Sequence, residues 1–182
     1  MLQLAEDAQR AGAQAVLLAP VSYQTLTEAE VYSLYEHVTA SLSVPLCVYD
    51  NPITTHFHFT DELHARIAGL PLVKSIKIPG VPSDPEKATE RVNKLRELIP
   101  SHVTIGVSGD PFAVTGLNAG GEVWYSVLGG LFPKLCLRMT QFALEGRAVE
   151  ADYYSVLLEP IWKLFRQYGS LRVAAAAAEI LV

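Results

Sequence analysis

Leu72-Val73-Lys74-Ser75-Ile76-Lys77-Ile78 is the stretch on which the fold turns. It is short and mostly apolar, which reads as a buried strand. A helical pattern stands on each side. Before it, Thr60 or Asp61 can cap a helix with Leu63, Ile67 and Leu70 on its inner face. After it, Ser83 or Asp84 caps a second helix, with Pro85 in its first turn and Val92, Leu95, Leu98 and Ile99 as its stripe. Helix, strand and helix make one step of a βαβ series.

The same alternation extends both ways. Toward the N-terminus lie strand candidates Val44–Tyr49 and Ala15–Ala19, separated by a helix that opens on the capping box Thr27-Glu28-Ala29-Glu30 and carries Val31, Leu34, Tyr35 and Val38 on one face. Residues 2–11 form a helical stripe that stops at Gly12. Toward the C-terminus, Val103–Val107 and Gly121–Leu128 read as a fourth and fifth strand, with a small helix over 111–118 between them. Helical patterns over about 133–145 and 148–168 follow, the second kinked at Pro160, and an alanine-rich helix starts near Leu171. Strands alternating with helices define the α/β class with a parallel sheet. Two architectures compete: an open doubly wound sheet and a (β/α)8 barrel. No G-x-G-x-x-G follows a strand, so a dinucleotide site has no support. Five strands fall short of the eight in a full barrel of about 250 residues, so the pattern leaves an open sheet or an incomplete barrel.

Composition removes other classes. Half of the 182 residues are apolar and 18% are charged, a chain that buries much of itself rather than a disordered one. The net charge is −5, with no basic stripe, so nucleic acid is not expected as a partner. No apolar run approaches the roughly 20 residues of a membrane helix. Met1-Leu2-Gln3-Leu4-Ala5-Glu6-Asp7 lacks the basic start of a signal peptide. Cys47 and Cys136 sit in apolar surroundings and read as reduced thiols of a cytoplasmic protein.

Chemistry concentrates at strand ends, where βα folds bind ligands. Strand alternation puts Lys77 on one face with Val73 and Ser75, and Lys74 on the other with Ile76. A desolvated lysine amine at a strand end can form a Schiff base with a ketone; the alternative is a lysine that snorkels into solvent. Tyr49 closes its own strand before Asp50-Asn51-Pro52 and can shuttle protons to a carbonyl, unless it simply caps the core. At Ser108-Gly109-Asp110, glycine and backbone N–H groups can hold a carboxylate, or Asp110 can be an ordinary helix cap. His56-Phe57-His58 offers a pair of metal ligands in a loop, with Asp50, Asp61 and His64 as the nearby candidates for completing a site. That leaves a metal-dependent hydrolase as a minor alternative.

The order Tyr49-Asp50-Asn51-Pro52, Ser75-Ile76-Lys77, Ser108-Gly109-Asp110 and Gly120-Gly121…Ser126-Val127, with the lead-in Ala11–Leu17, resembles the dihydrodipicolinate synthase/N-acetylneuraminate lyase family. The resemblance runs over nearly the whole chain. It implies a (β/α)8 TIM-barrel type, here incomplete, with about strands 4–8 over residues 1–132 and additional C-terminal helices over 133–182. It further implies a class I lyase or aldolase acting on pyruvate or a related 2-keto acid, as a homo-oligomer, without metal or organic cofactor. Carried over by motif, Lys77 is the Schiff-base lysine and Tyr49 the proton-relaying tyrosine. Ser108, Gly109 and Tyr125 fall where the substrate's carboxylate or hydroxyls would be contacted.

The departures from the family pattern are specific. The first three strands, with their G-x-x-G-E stretch and neighbouring threonines, have no counterpart. Thr54 stands where dihydrodipicolinate synthases carry an arginine that clamps the second substrate's carboxylate. Ile78-Pro79 follow the lysine in place of the usual Glu-Ala, and Trp124 and Tyr125 replace smaller residues. The resemblance therefore supports the chemistry more firmly than lysine biosynthesis. The rival reading is a truncated, non-catalytic relic or interaction module that keeps Lys77 and Tyr49 by descent.

Overall fold

The computed structural model describes residues 1–181. The chain divides into two compact units: Met1–Pro79 with Asn93–Gly106, and Gly80–Val92 with Val107–Val182.

The first unit holds α1 (Leu2–Arg10), β1 (Val16–Leu18), α2 (Glu28–Thr39), β2 (Leu46–Tyr49), α3 (Pro52–Thr55), α4 (Asp61–Ala68) and β3 (Val73–Ile78). Two elements cross the boundary along the chain, α5 (Pro85–Leu98) and β4 (Thr104–Val107). β1 pairs parallel with β2, and β2 with β3. β4 comes next, where the Thr104 hydroxyl donates to Ser75 Oγ at 2.9 Å. Strands thus follow one another in sequence order. A doubly wound sheet reverses its order at a switch point, and β1 to β4 show no reversal.

Local signals account for the elements. The Thr27 capping box is formed: Thr27 Oγ1 accepts the Glu30 amide at 3.3 Å and the Glu30 carboxylate accepts the Thr27 amide at 2.8 Å. Thr60 caps α4 and the Asp84 carboxylate accepts the Lys87 amide at the start of α5. Val31 and Tyr35 of α2, Leu63 and Ile67 of α4, and Val48, Val73 and Ile76 of the strands are completely inaccessible. Each such side chain contributes about 1.5–3 kcal/mol by leaving water. β1 is less covered than a buried run implies, since Leu17 remains 48% exposed.

The second unit holds α6 (Ala113–Asn118), β5 (Val123–Trp124), α7 (Pro133–Leu144), α8 (Ala148–Leu157), α9 (Glu159–Tyr168) and α10 (Ser170–Leu181). Two expectations need correction here. Gly121–Leu128 is not one strand: β5 is two residues long, and beyond the Tyr125 amide, which donates to Val107 O at 3.0 Å, the chain turns into a 3-10 helix over Leu128–Gly130. Pro160 does not kink a helix over 148–168 but separates two, standing in the first turn of α9, where its missing N–H costs nothing. Among the described residues no helix is long and apolar enough to cross a membrane.

Candidate active site

Lys77 and Tyr49 are brought together in the first unit. A bulge in the β2–β3 ladder sets Tyr49 directly opposite Lys77. Lys77 Nζ lies over the Tyr49 ring, 4.6 Å from its centroid, a cation–π distance. Both side chains are half-buried. The Asp50 amide donates to Lys77 O at 3.0 Å and closes the ladder.

Asn51 completes this arrangement. Its side chain caps α3, accepting the Thr54 amide at 3.4 Å through Oδ1, with Pro52 at the first helical position. That bond fixes which way the amide group faces. Nδ2 is left to donate to the Tyr49 phenol oxygen at 2.9 Å, so the phenol has an acceptor lone pair engaged and its own proton available. From sequence alone, Asn51 has no role of its own beyond the end of the strand and the family motif. An asparagine before proline was the signal for a cap.

Ser108, Gly109 and Tyr125 belong to the second unit, with Ser108 half-buried and Gly109 exposed. Gly109 has φ +80, a conformation that side-chain-bearing residues rarely adopt, and a Cβ on it would lie 3.1 Å from the Phe112 ring. Its glycine is thus accounted for by the turn. Asp110 is not a helix cap. It is buried and its carboxylate accepts the Trp124 indole N–H at 3.1 Å, the Val127 amide at 3.1 Å, the Leu128 amide at 2.7 Å and the Ser126 hydroxyl at 3.4 Å. These charge-assisted bonds end β5 and hold the segment carrying the half-buried Tyr125.

His56 and His58 are exposed, and His56 ends α3 in a left-handed conformation with φ 57. No group of three or more histidine, cysteine, aspartate or glutamate side chains able to hold a metal occurs among the described residues. Asp50 and His64 do approach each other, with Oδ2 and Nε2 3.3 Å apart, inside the core.

Parallel strands in sequence order, with a lysine and a tyrosine side by side at their carboxyl ends, define a protein of the (β/α)-barrel class. The model of the dihydrodipicolinate synthetase family matches residues 1–181, and the chain belongs to that family. It is similar to the 4-hydroxy-tetrahydrodipicolinate synthase of Rickettsia prowazekii, 26% identical over 97% of this chain and 58% of the relative. With the enzyme of that name from Brucella abortus it shares 30% identity over 89% of this chain and 54% of the relative. A crystal structure of dihydrodipicolinate synthase from Agrobacterium tumefaciens superposes with a TM-score of 0.94 at 42% identity, covering 99% of this chain and 60% of that one. A putative dihydrodipicolinate synthetase from Pseudomonas aeruginosa gives 0.81 at 29% identity. The fold is that of these barrels in part: the chain spans a little over half the length of the relatives it matches.

Proposed function

We propose that this chain carries the lysine and tyrosine of a class I lyase or aldolase that forms a Schiff base with pyruvate or a related 2-keto acid. The supporting observation is Lys77 Nζ 4.6 Å from the Tyr49 ring, on register-paired residues at two strand ends. The Nζ lone pair of neutral Lys77 attacks the ketone carbon. The carbonyl oxygen takes up protons and leaves as water, and a C=N bond replaces C=O. Tyr49 carries protons to and from that oxygen, its own oxygen held by Asn51. The imine then accepts the electron pair of an adjacent C–C bond as that bond breaks, or supplies it as one forms.

Ser108, Gly109 and Tyr125 are proposed to contact substrate. Thr54, in the place of the family's arginine, argues for a second substrate without the carboxylate clamp. The division into a barrel part to residue 132 and a helical part after it belongs to the proposal. So do a homo-oligomer, supported by exposed Val149, Val156 and Leu157 on α8, and a cytoplasmic location, supported by the buried free thiols of Cys47 and Cys136.

Borohydride trapping tests the reading. With pyruvate, hydride adds to the C=N carbon and leaves a stable secondary amine, which peptide mass spectrometry would locate on Lys77. An adduct on another lysine, or none from the folded chain with any of a panel of 2-keto acids, would overturn it and favour the non-catalytic relic.

A further inference from the structure

Asp50 stands between the two residues that arrange the site, Tyr49 and Asn51. Its amide bonds Lys77 O at 3.0 Å, and the residue is 5% exposed. Behind it, from α4, comes His64, with no accessible surface at all. Nε2 is 3.3 Å from Asp50 Oδ2 but not aligned as a hydrogen bond; Asp50 Oδ1 and both His64 ring nitrogens find no hydrogen-bond partner among the described residues. The Phe59 ring lies flat on the imidazole, centroids 4.9 Å apart and planes within 2°, so the ring plane is set by packing. Tyr35, against Phe59 on another side, donates its hydroxyl to Leu18 O at 2.7 Å.

Buried polar atoms without hydrogen bonds weaken a fold, and apolar residues of similar volume in place of a buried pair are often neutral or stabilising. The pair has to be understood by what it does to its surroundings. We propose that Asp50 and His64 are positioning residues: His64 holds Asp50 from behind the sheet, and through it fixes the strand end on which Tyr49 meets Lys77. Each link is short. The Asp50 amide carries Lys77, and the residue after it carries the Tyr49 oxygen. Removing His64 leaves Asp50 buried without a partner, and the strand end must shift to relieve it.

The test has two arms, of which only the second rests on the keto-acid reading. In the first, amide hydrogen exchange of the full chain is followed in the parent, His64→Leu and His64→Gln. His64→Leu is expected to speed exchange of the Asp50 amide about tenfold by local opening, with the Val31 and Leu95 amides changed less than about twofold, and glutamine, which keeps a polar group within reach of Asp50 Oδ2, to restore most of the protection. In the second, the rate of pyruvate trapping falls about tenfold at saturating pyruvate in His64→Leu, with the half-saturating concentration nearly constant, as misplacement of reacting groups requires. Asp50→Asn, close in shape, replaces His64→Leu if that variant does not fold. Exchange that rises equally at Asp50 and in the core, or a glutamine variant no better than leucine, overturns the positioning role. A parent chain that traps no keto acid overturns the functional reading alone, and the exchange arm still decides the pair.

Discussion

Tyr49 stands opposite Lys77 because β3 holds one extra residue near its start. The Leu46–Val73 pairing, continued without interruption, would set Tyr49 opposite Ile76. The bulge between Leu46 and Cys47 advances the register by one, so that Cys47 meets Ser75 and Tyr49 meets Lys77. Because side chains alternate with a period of two, a slip of one residue exchanges the faces of a strand. Here the slip places the lysine, rather than an isoleucine, beside the phenol. Bulges that re-aim a side chain are common beside active sites.

Lys77→Ala is expected to abolish the trapped adduct while the melting temperature stays within a few degrees, since a half-buried side chain is removed from a strand end rather than from the core. Tyr49→Phe keeps the ring under the amine and removes the proton carrier. Imine formation should slow about 100-fold, the lower end of general acid–base contributions. Adduct formation at the parent rate in Tyr49→Phe would remove tyrosine from the relay.

Asp110→Ala deletes the one carboxylate that accepts from Trp124, Ser126, Val127 and Leu128. The loss should be about 3 kcal/mol, read from the denaturant midpoint, because charged acceptors contribute about 1.5–3 kcal/mol and the donors are left unpaired. Asp110→Asn keeps one oxygen acceptor and should lose roughly half as much. An asparagine variant as stable as the parent would mean that the charge contributes nothing, and equal losses in the two variants would mean that a neutral acceptor replaces none of it.

Much of this was legible in the sequence, for identifiable reasons. Strand cores such as Val73–Ile78 and caps such as Thr27 and Thr60 depend on neighbours within a few residues, and the order of residues displays them. Lys77 and Tyr49 could be singled out because lysine at the end of an apolar strand is rare. Three features depended on distant partners and were not visible. The bulge exists only as a relation between β2 and β3. Asp110 shortened β5 by accepting amides up to eighteen residues away, which no local pattern signals. His64 lies beside Leu63 on a helix and read as a spare metal ligand, whereas the fold buries it against Asp50 and Phe59.

Cys136 gives the chain an alkaline weakness. Burial pushes its thiol up, against a hydrogen bond from Ser126 that works the other way and with Asp110 nearby adding to the rise. A raised value in the folded state means that the folded chain holds this proton more tightly than the unfolded one. Stability from this group is therefore intact below the ordinary thiol range, about 8.5, and is lost as pH rises from there toward the folded value. Unfolding measured from pH 7 to 10 should show a steeper alkaline decline in the parent than in Cys136→Ala, with Cys47 common to both. Superimposable curves would remove Cys136 as the cause.

Gly116 sits inside α6, where alanine ordinarily gains about 0.5–1 kcal/mol over glycine. Its neighbour reverses that sign. A Cβ at this position would lie 2.4 Å from Val107 Cγ1 and 3.0 Å from Val107 Cβ. Valine is stiff about χ1 and buried at the end of β4, so it cannot swing aside. Overpacking of this kind costs about 1–3 kcal/mol, which exceeds the gain in helix propensity, and Gly116→Ala should destabilise the chain by about 1–2 kcal/mol net. The cause is checked by repeating the substitution in Val107→Ala, which removes the obstructing methyl. There Gly116→Ala should become neutral or stabilising, and the pair should show a coupling of about 1–3 kcal/mol. Additive losses would mean that something other than Val107 requires the glycine.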